Sequence, residues 1–275
     1  MLGFLGRRKL KLRSLKKVDI GIIGGTGLEA LLRDAEQIRV GTPYGLPPSI
    51  SIGEMNGKPV AFLPRHGVHH SIPPHMVNYR ANIYALHKIG IEQIVATNAV
   101  GAINLDFKPG DLVVPHDFID FTKVRPNTFY DASPVTHVDL SQPYCPTLRL
   151  TLINSAKKYS KLWEKAVLVC TEGPRYETPA EIRMFKHLGC DIVGMTGAPE
   201  AVLARELEMC YATICFITNK AAGMQERLTA DEVTEVATKK VVPVLEQILR
   251  ETIKNLPRER HCPCVHALRK ARLRG

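Results

Sequence analysis

No apolar run in this 275-residue sequence approaches the roughly 18–20 residues needed to span a bilayer. The basic N-terminus lacks the apolar core and small-residue cleavage site of a secretory signal, so a cytoplasmic protein is expected. There is no G-x-S-x-G elbow, no Walker loop and no C-x-x-C, which removes the usual signatures of serine hydrolases, P-loop NTPases and dithiol redox proteins. No paired acids stand out for glycosidase work. His66, His69 and His70 crowd together, but their spacing matches no zinc pattern and no Cys or acid joins them nearby, so no metal is expected there. No internal repeat or interdomain linker is visible, and the length suffices for one full core.

Acids are missing from one place in particular. Residues 1–17 hold seven Lys/Arg and no Asp or Glu, and residues 257–275 hold six Lys/Arg against Glu259. Most of the net charge of +10 therefore sits in two tails, and the body, 18–256, is slightly acidic. Two basic tails are a poor footprint for nucleic acid; solvated ends are expected, with no nucleic-acid or membrane partner. Of the seven cysteines, Cys145, Cys170, Cys190, Cys210 and Cys215 lie in or beside apolar segments and read as buried small hydrophobes. Cys262 and Cys264 stand apart in the run His261-Cys262-Pro263-Cys264-Val265-His266.

What is present is an alternation of apolar strands, polar loops and amphipathic helices. Val18–Ile23 reads as a strand that runs into Gly24-Gly25-Thr26-Gly27, with a helix expected from Leu28. Glycines there let backbone amides approach an anion, and Thr26 adds a hydroxyl. The run 25–30 also fits G-x-G-x-x-A, but the acid that a dinucleotide site needs about 20 residues on is replaced by a Pro-rich turn. Ser49–Ile52 and Pro59–Leu63 pair across Asn56-Gly57 as a hairpin and deliver Arg65-His66-Gly67 to a strand end. Further elements are a helix over Val77–Gly90, a strand over Gln93–Asn98 followed by an Asn98–Ala102 loop, strands over Leu112–Val114 and Asp117–Thr122, and a helix over Leu148–Tyr159. The irregular stretch between about 123 and 146, with Phe129, Tyr130 and His137, is long enough to suggest function, either covering a site or packing on the surface.

Three apolar runs, Ala166–Cys170, Asp191–Val193 and Tyr211–Ile217, each precede a polar segment: Thr171–Thr178, Gly194–Gly197 and Thr218–Ala221. Helices are expected over Pro179–Leu188 and Pro199–Glu208. A closing helix over Ala230–Ile253 carries a Thr229/Glu232 capping box, and Pro243 should kink or split it. The pattern predicts one α/β domain, a central mixed sheet flanked by helices, with ligands where strands end. It predicts an anion end made of Thr26, Arg65, His66, Thr196 and the Asn98-Ala99 backbone. It also predicts a flat-ring end made of Tyr176, Glu177 and Asn219, with Met195 as apolar cover. An anion beside a heterocycle suits phosphate attacking a sugar carbon while a base leaves, a step that needs positioning and charge stabilisation.

The ring end makes a substrate argument. Glu177 can accept from the N1–H of a 6-oxopurine, and Asn219 can donate to O6 and accept from a protonated N7. A 6-aminopurine lacks N1–H and would leave Glu177 unpaired, at a cost of roughly 1–3 kcal/mol or more. The competing readings are a salt-bridge or cap residue for Glu177 and a turn residue for Asn219.

The motifs Gly24-Gly25-Thr26-Gly27, Arg65-His66-Gly67, Asn78-Tyr79-Arg80-Ala81-Asn82, Thr171-Glu172-Gly173-Pro174-Arg175 and Gly194-Met195-Thr196 with Pro199-Glu200 resemble the trimeric purine nucleoside phosphorylase and methylthioadenosine phosphorylase family across about residues 18–254. The frame resembles methylthioadenosine phosphorylase; the base site does not. Those enzymes carry a small hydroxyl residue where this chain has Glu177, and aspartates where it has Asn219 and Ala221. The mixture is similar to the 6-oxopurine nucleoside and methylthioinosine phosphorylases. The resemblance implies phosphate as co-substrate with no cofactor, bound by Thr26, Arg65, His66 and Thr196 near Asn98-Ala99. It implies Met195 behind the ribose and a base site of Tyr176, Glu177, Asn219, Lys220 and Ala221. Asn219 and His66 would be catalytic. His70, Ala230 and Val233 would face the 5′ group, where a small Ala230 leaves room for a methylthio substituent, with His137 reaching in from a neighbour in a homotrimer or dimer of trimers. Alternatives are a methylthioadenosine phosphorylase with an altered base site, or a purine-binding regulator. For Cys262 and Cys264 three readings stand: a tail disulfide as in some thermophilic relatives, strained by its short ring; free thiols; or zinc with His261 and His266.

Overall fold

Alternate residues of the first strand enter different cores. In the computed structural model, which describes residues 18–25, 28, 31–32, 35–225 and 241–273, Ile20 and Ile22 of β1 (Ile20–Gly24) point to one side of the sheet and Ile23 to the other. Neighbouring strands repeat this period-two pattern. Val95 of β5 (Gln93–Ala102) and Ala212 and Ile214 of β11 (Cys210–Lys220) join the first side; Ile94, Ala96 and Tyr211 join the second. The first core is covered by α2 (Pro146–Ala156) and α5 (Val242–Asn255), the second by α1 (Tyr79–Lys88) and α4 (Gly197–Glu206). Helices on both faces of the sheet give a three-layer α/β arrangement.

Local sequence explains the helix ends. Asn78 caps α1 by accepting from the Ala81 N–H at 3.0 Å, and Thr178 with Glu181 forms a reciprocal capping box on α3 (Pro179–His187). Pro243 sits in the first turn of α5, where its missing N–H costs nothing. The rest of the expected closing helix, with Thr229 and Glu232, lies outside the described residues. On α5, Leu245, Ile248, Leu249 and Ile253 form one fully buried stripe. Truncating any one of them to Ala would cost about 2–5 kcal/mol.

The remaining strands are β2 (Glu36–Ile38), β3 (Ile50–Met55), β4 (Lys58–Pro64), β6 (Leu112–Val113), β7 (Asp117–Phe121), β8 (Leu162–Trp163), β9 (Val167–Thr171) and β10 (Ile192–Gly194). The order is β2-β3-β4-β1-β5-β10-β9-β7, with β11 pairing β5 and leading to β6 and β8. Pairings β1–β4, β1–β5, β5–β11, β9–β10 and β7–β9 are parallel; β2–β3, β3–β4, β5–β10 and β6–β11 are antiparallel. The expected mixed sheet is present. So is the hairpin at Asn56-Gly57, both with positive φ as its tight turn requires. Strands β2 and β8, three and two residues long, were not expected from the sequence.

Two expected loops are strand instead. Asn98–Ala102 continues β5, and Thr218–Lys220 continues β11 through a bulge between Ile217 and Asn219. The two strands pair along nearly their whole lengths, and that long-range ladder overrides the local loop signal of small and polar residues. Leu28 is not helical. The C-terminal segment is not a solvated tail: Cys262, Cys264 and Ala271 are buried, and Arg272 bridges to Thr136. All seven cysteines are free. Cys145 and Cys210 are more than apolar filler, because their sulfurs close on those of Cys262 and Cys264. His261 is not part of that group; it is exposed and pairs with Glu259.

Candidate active site

The sheet splits along one edge of β5. Its first half pairs with β1 as far as Ala96, and its last residues, Gly101 and Ala102, pair with β10. Between them, Thr97–Val100 presents an edge with no strand beside it among the described residues. A cavity of about 490 Å³ opens there, large enough for a nucleoside-sized ligand. Into it converge the loop after β4, the loop after β9, the β10–α4 junction and the end of β11.

At one end lie Gly25, Arg65, His66 and Thr196. Arg65 is 2% exposed, so it is not a surface arginine. Its Nε and Nη2 donate to both carboxylate oxygens of Glu200 and its Nη1 donates to Thr97 O at 2.9 Å. Among the described residues three of the five guanidinium donors are thereby used, leaving two for an anion. Burial by itself would lower the Arg65 pKa, but the Glu200 carboxylate outweighs it and the net shift is upward. His66 donates from Nδ1 to Ile72 O at 2.8 Å, which leaves Nε2 as the unprotonated nitrogen, and its ring stacks on His70 at 4.2 Å. Burial, then the Arg65 charge, push the His66 pKa down to about 3, so the imidazole is neutral at neutral pH. Thr196 precedes α4 and donates from Oγ1 to Asn98 Oδ1 at 2.6 Å; Asn98 Nδ2 in turn donates to Thr213. Asn98 therefore contributes by orienting the Thr196 hydroxyl, and Ala99 lines the wall.

At the other end lie Tyr176, Glu177, Met195, Asn219 and Ala221. Glu177 is neither cap nor ion pair. The α3 cap and the neighbouring arginine belong to Glu181, which holds Arg175 through both oxygens. The Glu177 carboxylate accepts only from Thr171 Oγ1, at 2.7 Å, among the described residues. Asn219 is fixed by Thr218 Oγ1 donating to Oδ1 and by Nδ2 donating to Lys220 O. Among the described residues that leaves one amide hydrogen and one lone pair unused. Gly101 opposite must stay small, since a Cβ there would stand 3.1 Å from the Asn219 Nδ2. Gly173 has φ 65°, and a Cβ would meet the Met195 sulfur at 2.6 Å.

Residues 19–254 match the family model described as the phosphorylase superfamily. The chain is 54% identical over 256 residues to the probable S-methyl-5′-thioinosine phosphorylase of Methanothermobacter thermautotrophicus, covering 92% of this chain and 89% of that protein. It is 49% identical over 262 residues to the 6-oxopurine nucleoside phosphorylase of Pyrococcus furiosus, covering 92% and 98%. Among solved structures, a methylthioadenosine phosphorylase from an antarctic soil metagenomic library superposes with a TM-score of 0.86 at 36% identity, covering 94% and 93%. The chain belongs to the phosphorylase superfamily. It has the nucleoside phosphorylase fold and is an enzyme of the purine nucleoside phosphorylase class.

Not every expected residue of this phosphorylase reaches the cavity. Lys220 does not line it. It follows Asn219 in a strand, so its side chain takes the opposite face, and its N–H donates to Gln225. His70 does line it. His137 does not; its N–H donates to Ala271 O beside the C-terminal segment. Phe129 packs on Tyr44 and Tyr84 rather than over the site. Thr26, Ala230 and Val233 lie outside the described residues.

Two buried groups were given no role by the sequence. Glu200, 0% exposed, is the counterion of Arg65 and also accepts from Tyr211 OH at 2.7 Å. Arg125 ties both loops of the ring end together. It donates to Glu172 Oε1, to Tyr79 OH and to the carbonyls of Thr171, Glu172 and Met195. Its sequence signal was an isolated arginine opening the irregular stretch. Nothing in the local pattern announced that it would be buried.

Proposed function

We propose that this phosphorylase cleaves 6-oxopurine nucleosides (inosine, guanosine or 5′-methylthioinosine) with inorganic phosphate, giving the free purine and the sugar 1-phosphate. The observation that carries the reading is the Glu177 carboxylate, set in the cavity wall with a single hydroxyl partner among the described residues, beside an Asn219 amide that keeps one donor and one acceptor there. That pairing complements N1–H, O6 and N7–H of an oxopurine. A 6-aminopurine offers no N1–H.

Phosphate sits beside Gly25, held by the two unused Arg65 N–H groups and, once its O–H turns away from Asn98, by the Thr196 hydroxyl; the neutral His66 Nε2 accepts from a protonated phosphate oxygen. A phosphate oxygen forms the bond to C1′ as the C1′–N9 bond breaks through an oxocarbenium-like state. The electron pair of that bond passes into the purine, whose N7 takes up, through solvent, the proton that the phosphate gives up and is then held by Asn219. Met195 backs the ribose and Tyr176 covers the base, while His70 faces the 5′ substituent. The active unit is one domain over 18–256, cytoplasmic, assembled as a homotrimer or a dimer of trimers in which His137 serves a neighbouring site.

Phosphate-dependent base release from inosine, guanosine, methylthioinosine and methylthioadenosine, measured side by side, tests the reading. Turnover of the three oxopurines with little from methylthioadenosine supports it. Equal or faster turnover of methylthioadenosine refutes the base-site argument and leaves a methylthioadenosine phosphorylase.

A further inference from the structure

The reaction proposed above uses no cysteine, yet four of them meet far from the cavity lining. Cys145 is the N-cap of α2, Cys210 opens β11, and Cys262 and Cys264 flank Pro263 in the C-terminal segment. Their four Sγ atoms all lie within 4.8 Å of one another, and all four residues are buried. The Cys210 and Cys262 sulfurs are 3.2 Å apart. A tetrahedral zinc with Zn–S bonds of about 2.3 Å would hold its sulfurs about 3.8 Å apart, a spacing this group already approaches.

N–H groups and a guanidinium surround the sulfurs. The Leu148 N–H donates to the Cys145 sulfur at 3.4 Å, and the Cys264 N–H donates to the Cys262 sulfur. The Arg260 guanidinium reaches the Cys210 sulfur while its Nη1 donates to Glu208 O at 2.7 Å. A tetrathiolate zinc centre carries a net charge of −2, and N–H···S bonds with a neighbouring cation are what such a centre needs outside its ligands. The rival chemistry is two disulfides. Of its three pairings, the one that joins Cys262 to Cys264 closes a strained ring over the single residue Pro263, and the other two would break up a group in which the sulfurs all neighbour one another.

We propose that Cys145, Cys210, Cys262 and Cys264 bind one zinc ion in a closed structural site. Each thiol releases its proton to solvent as its sulfur binds, so four protons leave per zinc and nothing is oxidised. With four protein ligands no position is open for water, so the ion does no chemistry. It fastens the C-terminal segment to α2 and β11. That segment also carries Ala271 and Arg272, which hold the loop of His137 and Thr136, so the clip steadies this loop as well.

The full-length chain, expressed with zinc in the medium and purified under reducing conditions without chelator, should contain one zinc per chain by elemental analysis. Replacement of zinc by cobalt(II) should give the visible d–d bands and sulfur-to-metal charge-transfer absorption of a tetrahedral thiolate. Cys264→Ser and Cys145→Ser should lose the metal and melt at lower temperature, whereas Cys190→Ser, outside the group, should keep it. If the cluster variants do not fold, the cobalt spectrum of the unaltered chain decides alone. Metal-free protein whose four cluster cysteines resist alkylation until reduced would replace the zinc with disulfides and overturn the proposal. Metal-free protein whose thiols alkylate freely after denaturation without reductant would overturn it too.

Discussion

Replacing Glu177 with Gln keeps the side-chain shape and the Thr171 partner but removes the charge and turns one acceptor into a donor. In the proposed complex the carboxylate takes the N1–H of an oxopurine; a glutamine can do so only through its remaining carbonyl oxygen, which Thr171 already uses. A hydrogen bond to a charged group contributes about 1.5–3 kcal/mol. Glu177 is only half-buried, so the lower part of that range applies. The expected loss in kcat/KM for inosine is therefore about 10- to 30-fold. Methylthioadenosine, whose N1 is an acceptor, should lose nothing and should gain if the amide N–H turns toward N1. The assay is steady-state phosphorolysis of both nucleosides, followed as release of base at fixed phosphate. Retention of inosine kcat/KM within threefold, with an unchanged ratio between the two substrates, would refute the assignment of Glu177 as the base-reading residue.

Arg125→Ala should cost at least about 100-fold in kcat, because it frees the Thr171, Glu172 and Met195 carbonyls from one anchor; the ratio of inosine to guanosine turnover should not change, and if it does Arg125 reads the base rather than positioning loops. Glu200→Leu leaves a buried Arg65 without its counterion and should destabilise the fold by about 3–5 kcal/mol. The double change Arg65→Met with Glu200→Leu should recover most of that stability in urea melts while phosphorolysis stays absent; a double variant as unstable as the single one would refute the pairing argument. For His66 the folded pKa of about 3 lies below the ordinary histidine value of about 6.5. The unfolded chain binds the extra proton between those values, so stability is full above about pH 6.5 and falls as the pH drops toward about 3. His66→Gln should flatten that acid limb in pH-dependent thermal melts, and an unchanged slope would place the sensitivity elsewhere.

The local sequence was enough for the elements whose signals act over a short range. Period-two apolar runs, the Asn56-Gly57 turn and the Thr178/Glu181 box all act within a few residues, and each formed where its pattern lay. The cavity residues Arg65, His66, Tyr176, Glu177, Met195, Thr196 and Asn219 were legible because strand ends with unusual polar groups are rare and because their motifs recur in a family. Tertiary structure decided what depends on distant partners. Asn98–Ala102 and Thr218–Lys220 look like loops alone and are strand because β5 and β11 pair. Lys220 was lost to the site by the same ladder, which turns alternate side chains to opposite faces. Burial of Arg65 exists only because Glu200, 135 residues away, supplies a carboxylate, and Arg125 is a hub only because three loops close around it. Cys145, Cys210, Cys262 and Cys264 carry no common spacing signal, since α2, β11 and the C-terminal segment meet only when the sheet has folded.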